Sequence, residues 1–256
     1  MGCNGKTKVT IFVGMKIPET IIKLLFILVL GVVLMLFNSF WISPTEDCYS
    51  YLINPKTAAF AFYWKDSKGN KIQTFQQLKN HLSNKHNKLL FAMNGGMFQQ
   101  DYSPLGLYIE NGKVLHPLNL KKGTGNFYME PNGIFYLDKS KKAHVVCSSD
   151  FVLTDSILYA TQSGPMLLVN GVINSKFTQG SKNLYIRNGV GIKPDGTLLF
   201  AISKTQVNFY DFATYFKSKG CTNALYLDGY VSRMYCPEQG VEQMDGRFGV
   251  LIGVYE

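Results

Sequence analysis

Arginine is nearly missing from this chain of 256 residues: Arg187, Arg233 and Arg247 are the only ones among 26 basic residues. Charged residues of all kinds reach only 17%, against 14% aromatics, which excludes a disordered chain, since disorder needs high charge and little to bury. No stretch alternates basic residues with aromatics. The formal net charge of +9 therefore comes without the groove of a nucleic-acid binder, and no nucleic-acid partner is expected. The densest basic cluster, Lys139-Ser-Lys-Lys142, reads as a solvated hairpin tip. The positive excess suits anionic partners instead, such as phosphorylated glycans or anionic lipid.

Metal motifs are absent too. No cysteine spacing is CxxC, and His81, His86, His116 and His144 do not stand at ligand spacing, so no metal and no cofactor are expected. No histidine sits beside a serine in a nucleophile elbow, which leaves serine-hydrolase chemistry without support. Nor does a repeat or low-complexity linker divide the chain after its first apolar stretch.

That stretch runs from Ile21 to Phe37, extended by Phe40-Trp41-Ile42, and no small-x-small cleavage site closes it. At roughly 20 residues it is long enough to span a bilayer. Lys6, Lys8, Lys16 and Lys23 precede or open it, whereas Glu46 and Asp47 follow, so the N-terminus is expected in the cytoplasm. The expected organisation is a cytoplasmic tail over 1–20, a transmembrane anchor over 21–42, a linker and first strand over 43–59, and one extracytoplasmic domain over 60–256. The membrane is then a partner through that helix. Cys3 would be reduced, while Cys48, Cys147, Cys221 and Cys236 would meet an oxidising compartment that permits two disulfides. Cys221 and Cys236 flank one strand and its return, and a bridge there would clamp the loop between them. Cys48 with Cys147 is the corollary.

Past the anchor, strands are expected over 49–53, 57–64 and 89–94, the last a short apolar run fit for burial on both faces. Thr74 caps a helix to Lys85, with Phe75, Leu78 and Leu82 on one face. Asn111-Gly112 and Asn170-Gly171 mark type I′ hairpin tips, and Lys193-Pro-Asp-Gly196 a third turn. Further strands are expected over 127–130, 133–137 and 143–146, and a helical turn or two over 150–159. A helix from Asn208 to Lys219, with Phe212 and Phe216 inward, precedes the strand 224–228, and a last strand covers 248–255. Strands and helices are segregated, which implies an α+β single domain with a largely antiparallel or mixed sheet and a few helices.

Four breaks beside apolar strands share one design: Asn94-Gly-Gly96, Gln162-Ser-Gly-Pro165, Arg187-Asn-Gly-Val-Gly191 and Asp228-Gly-Tyr-Val-Ser232. At the first, Asn94 ends a rigid strand, and Gly95 and Gly96 permit unusual backbone angles and close approach of a ligand to the main chain. Together and in this order the four resemble the phosphodiester glycosidase family, roughly from residue 60 to the C-terminus. Its pattern runs Asn-Gly-Gly, Ser-Gly-Pro, an Arg-x-x-x-Gly strand, an Asp-Gly strand, a helix, and Leu-Asp-Gly-Gly-x-Ser. Tyr230 departs from it, standing where the second glycine commonly falls.

The resemblance implies a hydrolase that cleaves a sugar from a phosphodiester or phosphorylated glycan, which would be its substrate partner. Glycosidases commonly use two carboxyl groups. Asp228 is the main candidate, because a charge at the end of an apolar strand is costly unless used or paired. Glu130 is the second. Arg187 offers a planar fork for phosphate, which lysine lacks. Asn94, Gly95, Gly96, Ser163, Gly164, Gly189, Gly229, Tyr230 and Ser232 complete the expected substrate-binding set. The alternative from another class is a non-catalytic envelope module that binds anionic glycan through the same cleft.

Overall fold

The computed structural model describes residues 47–228 and 231–256, with 18–20 and 23. The anchor expected over 21–42 (Lys23 apart), Cys3, Gly229 and Tyr230 lie outside the described residues. Among the described residues no helix is long and apolar enough to cross a membrane. The compact unit is Asp47–Glu256, built mostly from sheet with two α-helices, Phe75–Ser83 and Phe209–Ser218.

Three sheets form it, and every strand pairing is antiparallel among the described residues. The first has six strands in the order Cys48–Ile53, Leu198–Ser203, Asn188–Ile192, Asn223–Tyr226, Met166–Val169, Val172–Ile173. The second runs Val241–Glu242, Met234–Cys236, Leu89–Asn94, Leu251–Tyr255, Ala59–Tyr63. The third runs Lys113–His116, Tyr108–Glu110, Ile157–Ser163, Gly133–Asp138, Ala143–Cys147.

Period-two alternation decides what each face meets. Leu198, Phe200 and Ile202 point into the central core, while Leu199 and Ala201 face the Phe209–Ser218 helix through Phe212 and Phe216. In the second sheet Phe91 and Met93 point inward, and Ala92 turns to the layer of Phe75, Leu78 and Leu82. Phenylalanines then tie the sheets together: Phe200 lies 5.4 Å from Phe91 and 5.8 Å from Phe135, and Phe62 lies 5.2 Å from Phe135. Thr74 caps its helix by accepting from Gln77 N at 3.1 Å, and the Gln77 side chain accepts in return from Thr74 N at 3.2 Å. The two Asn-Gly tips take positive φ at both residues, 50° and 76° at Asn111-Gly112 and 50° and 78° at Asn170-Gly171.

Two expected elements differ. Residues 127–130 are not a strand: Asn126–Tyr128 is a single 3₁₀ turn, placed by Phe127, which is buried with its ring 5.0 Å from that of Tyr128. Residues 150–159 do not form a helix. A 3₁₀ turn ends at Asp150, Val152 and Leu153 are 71% and 56% exposed, and the chain enters the strand at Ile157. Cys147, Cys221 and Cys236 carry free thiols, so neither expected bridge is formed. Cys221 packs in the layer under the Phe209–Ser218 helix and Cys236 in the central core, on different sides of a sheet.

Candidate active site

The three sheets bring four of the expected residues together. Asn94 ends its strand in the second sheet, Ser163 ends its strand in the third, and Asp228 follows Asn223–Tyr226 of the first, with Ser232 just beyond. All four are buried, Asp228 being 6% exposed. Their link is a residue that the sequence reading passed over. Asn188, fully buried at the start of its strand, donates through Nδ2 to Asn94 O at 3.0 Å and Asn94 Oδ1 at 2.9 Å. Its Oδ1 accepts from Asp228 N at 3.0 Å and from Ser232 Oγ at 3.3 Å. One amide thus uses its two donors and two acceptor positions to join two sheets and the Asp228 turn.

Around that hub the bonds continue. Asn94 Oδ1 also accepts from Arg233 N at 2.8 Å, and Asn94 Nδ2 lies 3.4 Å from Asp228 Oδ2. Ser232 Oγ donates to Asp228 O at 2.6 Å, and Ser163 Oγ to Leu227 O. Both hydroxyls therefore hold the Asp228 turn in place; neither is presented as a nucleophile. Arg233 is anchored outward by a two-pronged pair with Asp245, at 2.9 and 2.6 Å, which keeps the segment beyond Ser232 in register.

Arg187 differs from its expected role as an open phosphate fork. It is wholly buried, and its fork already meets protein acceptors: Val207 O at 2.8 Å, Asn183 Oδ1 at 2.8 Å and O at 3.0 Å, and Tyr226 OH at 3.3 Å. The guanidinium carbon sits 3.7 Å from the centre of the Phe209 ring. Burial lowers its pKa, and the neighbouring Tyr226 opposes that shift. The residue acts as an internal strut that fixes the start of the strand carrying Asn188.

The glycines also serve packing within the protein. A Cβ on Gly95 would stand 2.8 Å from Val250 Cγ1, and one on Gly96 2.6 Å from Gln162 O. On Gly164 it would meet Asn132 Cβ at 2.7 Å, and on Gly189 Leu225 O at 2.8 Å. None of the four has a positive φ. Their absent side chains let neighbouring strands and loops approach closely, and at Gly96 the second sheet meets the third.

Glu130 lies elsewhere, exposed on the wall of an open trench of about 520 Å³ with Lys121, Tyr128, Asn132, Ser149 and Lys176. A cavity of about 410 Å³ shares Lys121 and Tyr128 with it, and a smaller one of about 130 Å³ shares Lys176. The trench adjoins the buried network through Asn132, which packs on Gly164, the neighbour of Ser163. Lys121 and Lys176 had no motif to mark them. Asn188 had a weak one, an amide between Arg187 and Gly189 at a strand start.

The profile of a phosphodiester glycosidase family matches residues 87–248. Over 193 residues the chain is 42% identical to the uncharacterized protein YigE of Escherichia coli K12, covering 75% of each chain. Its fold is similar to the zebrafish N-acetylglucosamine-1-phosphodiester alpha-N-acetylglucosaminidase catalytic domain auto-inhibited by pro-peptide. That match has a TM-score of 0.57 and 17% identity, over 84% of this chain and 85% of that one. It is also similar to a hypothetical protein from Synechocystis, with a TM-score of 0.51 and 12% identity, over 81% of this chain and 59% of that one.

Proposed function

Because the chain belongs to the phosphodiester glycosidase family, we propose that it is a hydrolase that releases a sugar from a phosphodiester, with Asp228 as its principal carboxylate. The observation that carries this reading is the convergence of Asn94, Asn188 and Ser232 on Asp228, and of Ser163 on the adjoining Leu227 carbonyl, from strand ends of three sheets. These bonds fix the backbone of the interior turn that carries the carboxyl group, with Asn94 Nδ2 beside one of its oxygens, which is what positioning at a reacting atom requires.

In the proposed reaction the bond between the anomeric carbon and the phosphate oxygen breaks, and its electron pair leaves with the phosphate. Water supplies the oxygen that remains on the sugar. A phosphate monoester is a weakly basic leaving group, so the step needs charge stabilisation more than a proton donor. Asp228 faces the positive charge that grows at the anomeric carbon, as nucleophile or as base for water, and Asn94 holds it. Glu130, on the trench side, assists. The test is incubation of the full-length chain in detergent with a panel of sugar-1-phosphodiesters. The expected outcome is free sugar and phosphomonoester in equal amounts from at least one of them. Absence of turnover across the panel would count against a hydrolase and favour a glycan-binding module.

We propose also that residues 21–42 anchor the chain, with the domain outside the cytoplasm. The support is the lysines before that segment and the Glu46-Asp47 pair after it. Protease added to cells whose outer barrier has been opened should digest the domain and leave a small membrane-bound stub. A protected domain, or a mature N-terminus near Pro44, would refute the anchor.

A further inference from the structure

We infer that the trench of Glu130, which adjoins the Asp228 turn through Asn132, Gly164 and Ser163, is a subsite for the leaving group, and that this leaving group is an extended glycan or polyol chain carrying at least one phosphate beyond the scissile one. The inference rests on the hydrolase reading above for its chemistry, but its geometry stands alone.

The five residues Gln162 to Met166 act as a spine that places every relevant group. Gln162 Oε1 accepts from Asn119 N at 2.9 Å, and its Nε2 donates to Asn119 O at 2.7 Å. Asn119 Oδ1 in turn accepts from Lys121 N at 3.1 Å. At the other end Met166 O accepts from Asn174 Nδ2 at 3.0 Å, and Asn174 Oδ1 accepts from Lys176 N at 3.0 Å. Between these, Ser163 holds the Asp228 turn through Leu227 O, and Met166 N donates to Pro131 O at 2.8 Å, beside Glu130. Both lysines are therefore held by side-chain turns on the same backbone that registers Asp228. Loop lysines kept only for solubility need no such support.

The charges remain available. Neither Lys121, Lys176 nor Glu130 takes part in an ion pair among the described residues, although all three line the same trench. Lys121 also lines one adjoining cavity and Lys176 a different one, so each cation borders its own extension of the trench. A volume of about 520 Å³ is in the range that holds a whole small ligand rather than one phosphoryl group. The exposed Leu120 and half-buried Tyr128 supply the apolar and aromatic wall that suits a sugar or polyol stem. Two separate ammonium groups along such a wall fit phosphate oxygens spaced along a chain.

The test uses the full-length enzyme, Lys121→Gln, Lys176→Gln and the double variant, with two substrates of the same sugar-1-phosphate. One carries a methyl leaving group, the other a glycerol-phosphate trimer. For the double variant KM on the trimer substrate should rise about tenfold or more, the worth of charge-assisted bonds partly screened by water. The methyl substrate should change less than twofold. In parallel, free glycerol-phosphate trimer should bind wild type, and more weakly the double variant, in a manner sensitive to salt. If both substrates suffer alike, or trimer binding is unchanged, the leaving-group subsite is refuted. If neither substrate turns over but trimer binding still depends on the two lysines, the hydrolase reading falls and the ligand class of the trench stands.

Discussion

Asp228→Asn is expected to lower turnover of a sugar-1-phosphodiester by on the order of a thousandfold or more, the scale seen when an essential catalytic group is removed. Its melting temperature should stay within a few degrees of wild type. Two bonds that hold the turn do not depend on the carboxylate charge: Asp228 N donates to Asn188, and Asp228 O accepts from Ser232. An amide of the same shape can still accept from Asn94 Nδ2 through its carbonyl oxygen, replacing the 3.4 Å contact to Asp228 Oδ2. Turnover assays and melting curves on the two proteins decide the matter. Normal turnover would remove Asp228 from the chemistry. A large drop in melting temperature would make it a structural residue, and would favour a module that binds glycan without cleaving it.

Local chemistry explains what was legible in the sequence. Thr74 and Gln77 lie three residues apart, and the Asn111-Gly112 and Asn170-Gly171 tips are contiguous, so each carries its own signal. The apolar run at 89–94 reads as a buried strand because it is apolar on both faces, and it lies between two hydrophobic layers. The family resemblance rested on contiguous motifs of the same kind, and these too sit at strand ends.

What was not legible depends on partners far away in the chain. Nothing near Arg187 says that its acceptors are Val207 and Tyr226, so the planar fork read as a phosphate clamp although it is an interior strut. Nothing near Gly96 says that the Gln162 carbonyl will pass where a side chain would stand. The strand Met234–Cys236 has three residues, too few for a period to appear, and it forms because Leu89–Asn94 offers it an edge. Phe127 reads as a strand residue because an aromatic run such as Phe127-Tyr128-Met129 looks the same whether it alternates or anchors. The Arg187 and Gly96 cases have one cause: a buried polar or bare position meets whichever neighbour the fold delivers.

Asn188→Ala should separate scaffold from chemistry most sharply, because it removes the hub and leaves Asp228 itself intact. Four bonds are lost at a fully buried site. Ser232 Oγ keeps its 2.6 Å bond to Asp228 O, and Asn94 Oδ1 keeps Arg233 N. Asp228 N, however, loses the side-chain acceptor that holds it, inside a space alanine does not fill. An orphaned buried donor together with a small cavity costs about 2–4 kcal/mol. For a domain of this size that corresponds to a fall of about 5–15 °C in melting temperature. Turnover should fall as well, since Asn94 and the Asp228 turn are then no longer held to one another. The two variants should therefore differ in kind: Asp228→Asn loses rate and keeps stability, whereas Asn188→Ala loses both. Calorimetry with turnover measured well below the melting point distinguishes them. If Asn188→Ala melts with wild type, the cross-sheet network is not what positions Asp228, and the site must be held by another part of the fold.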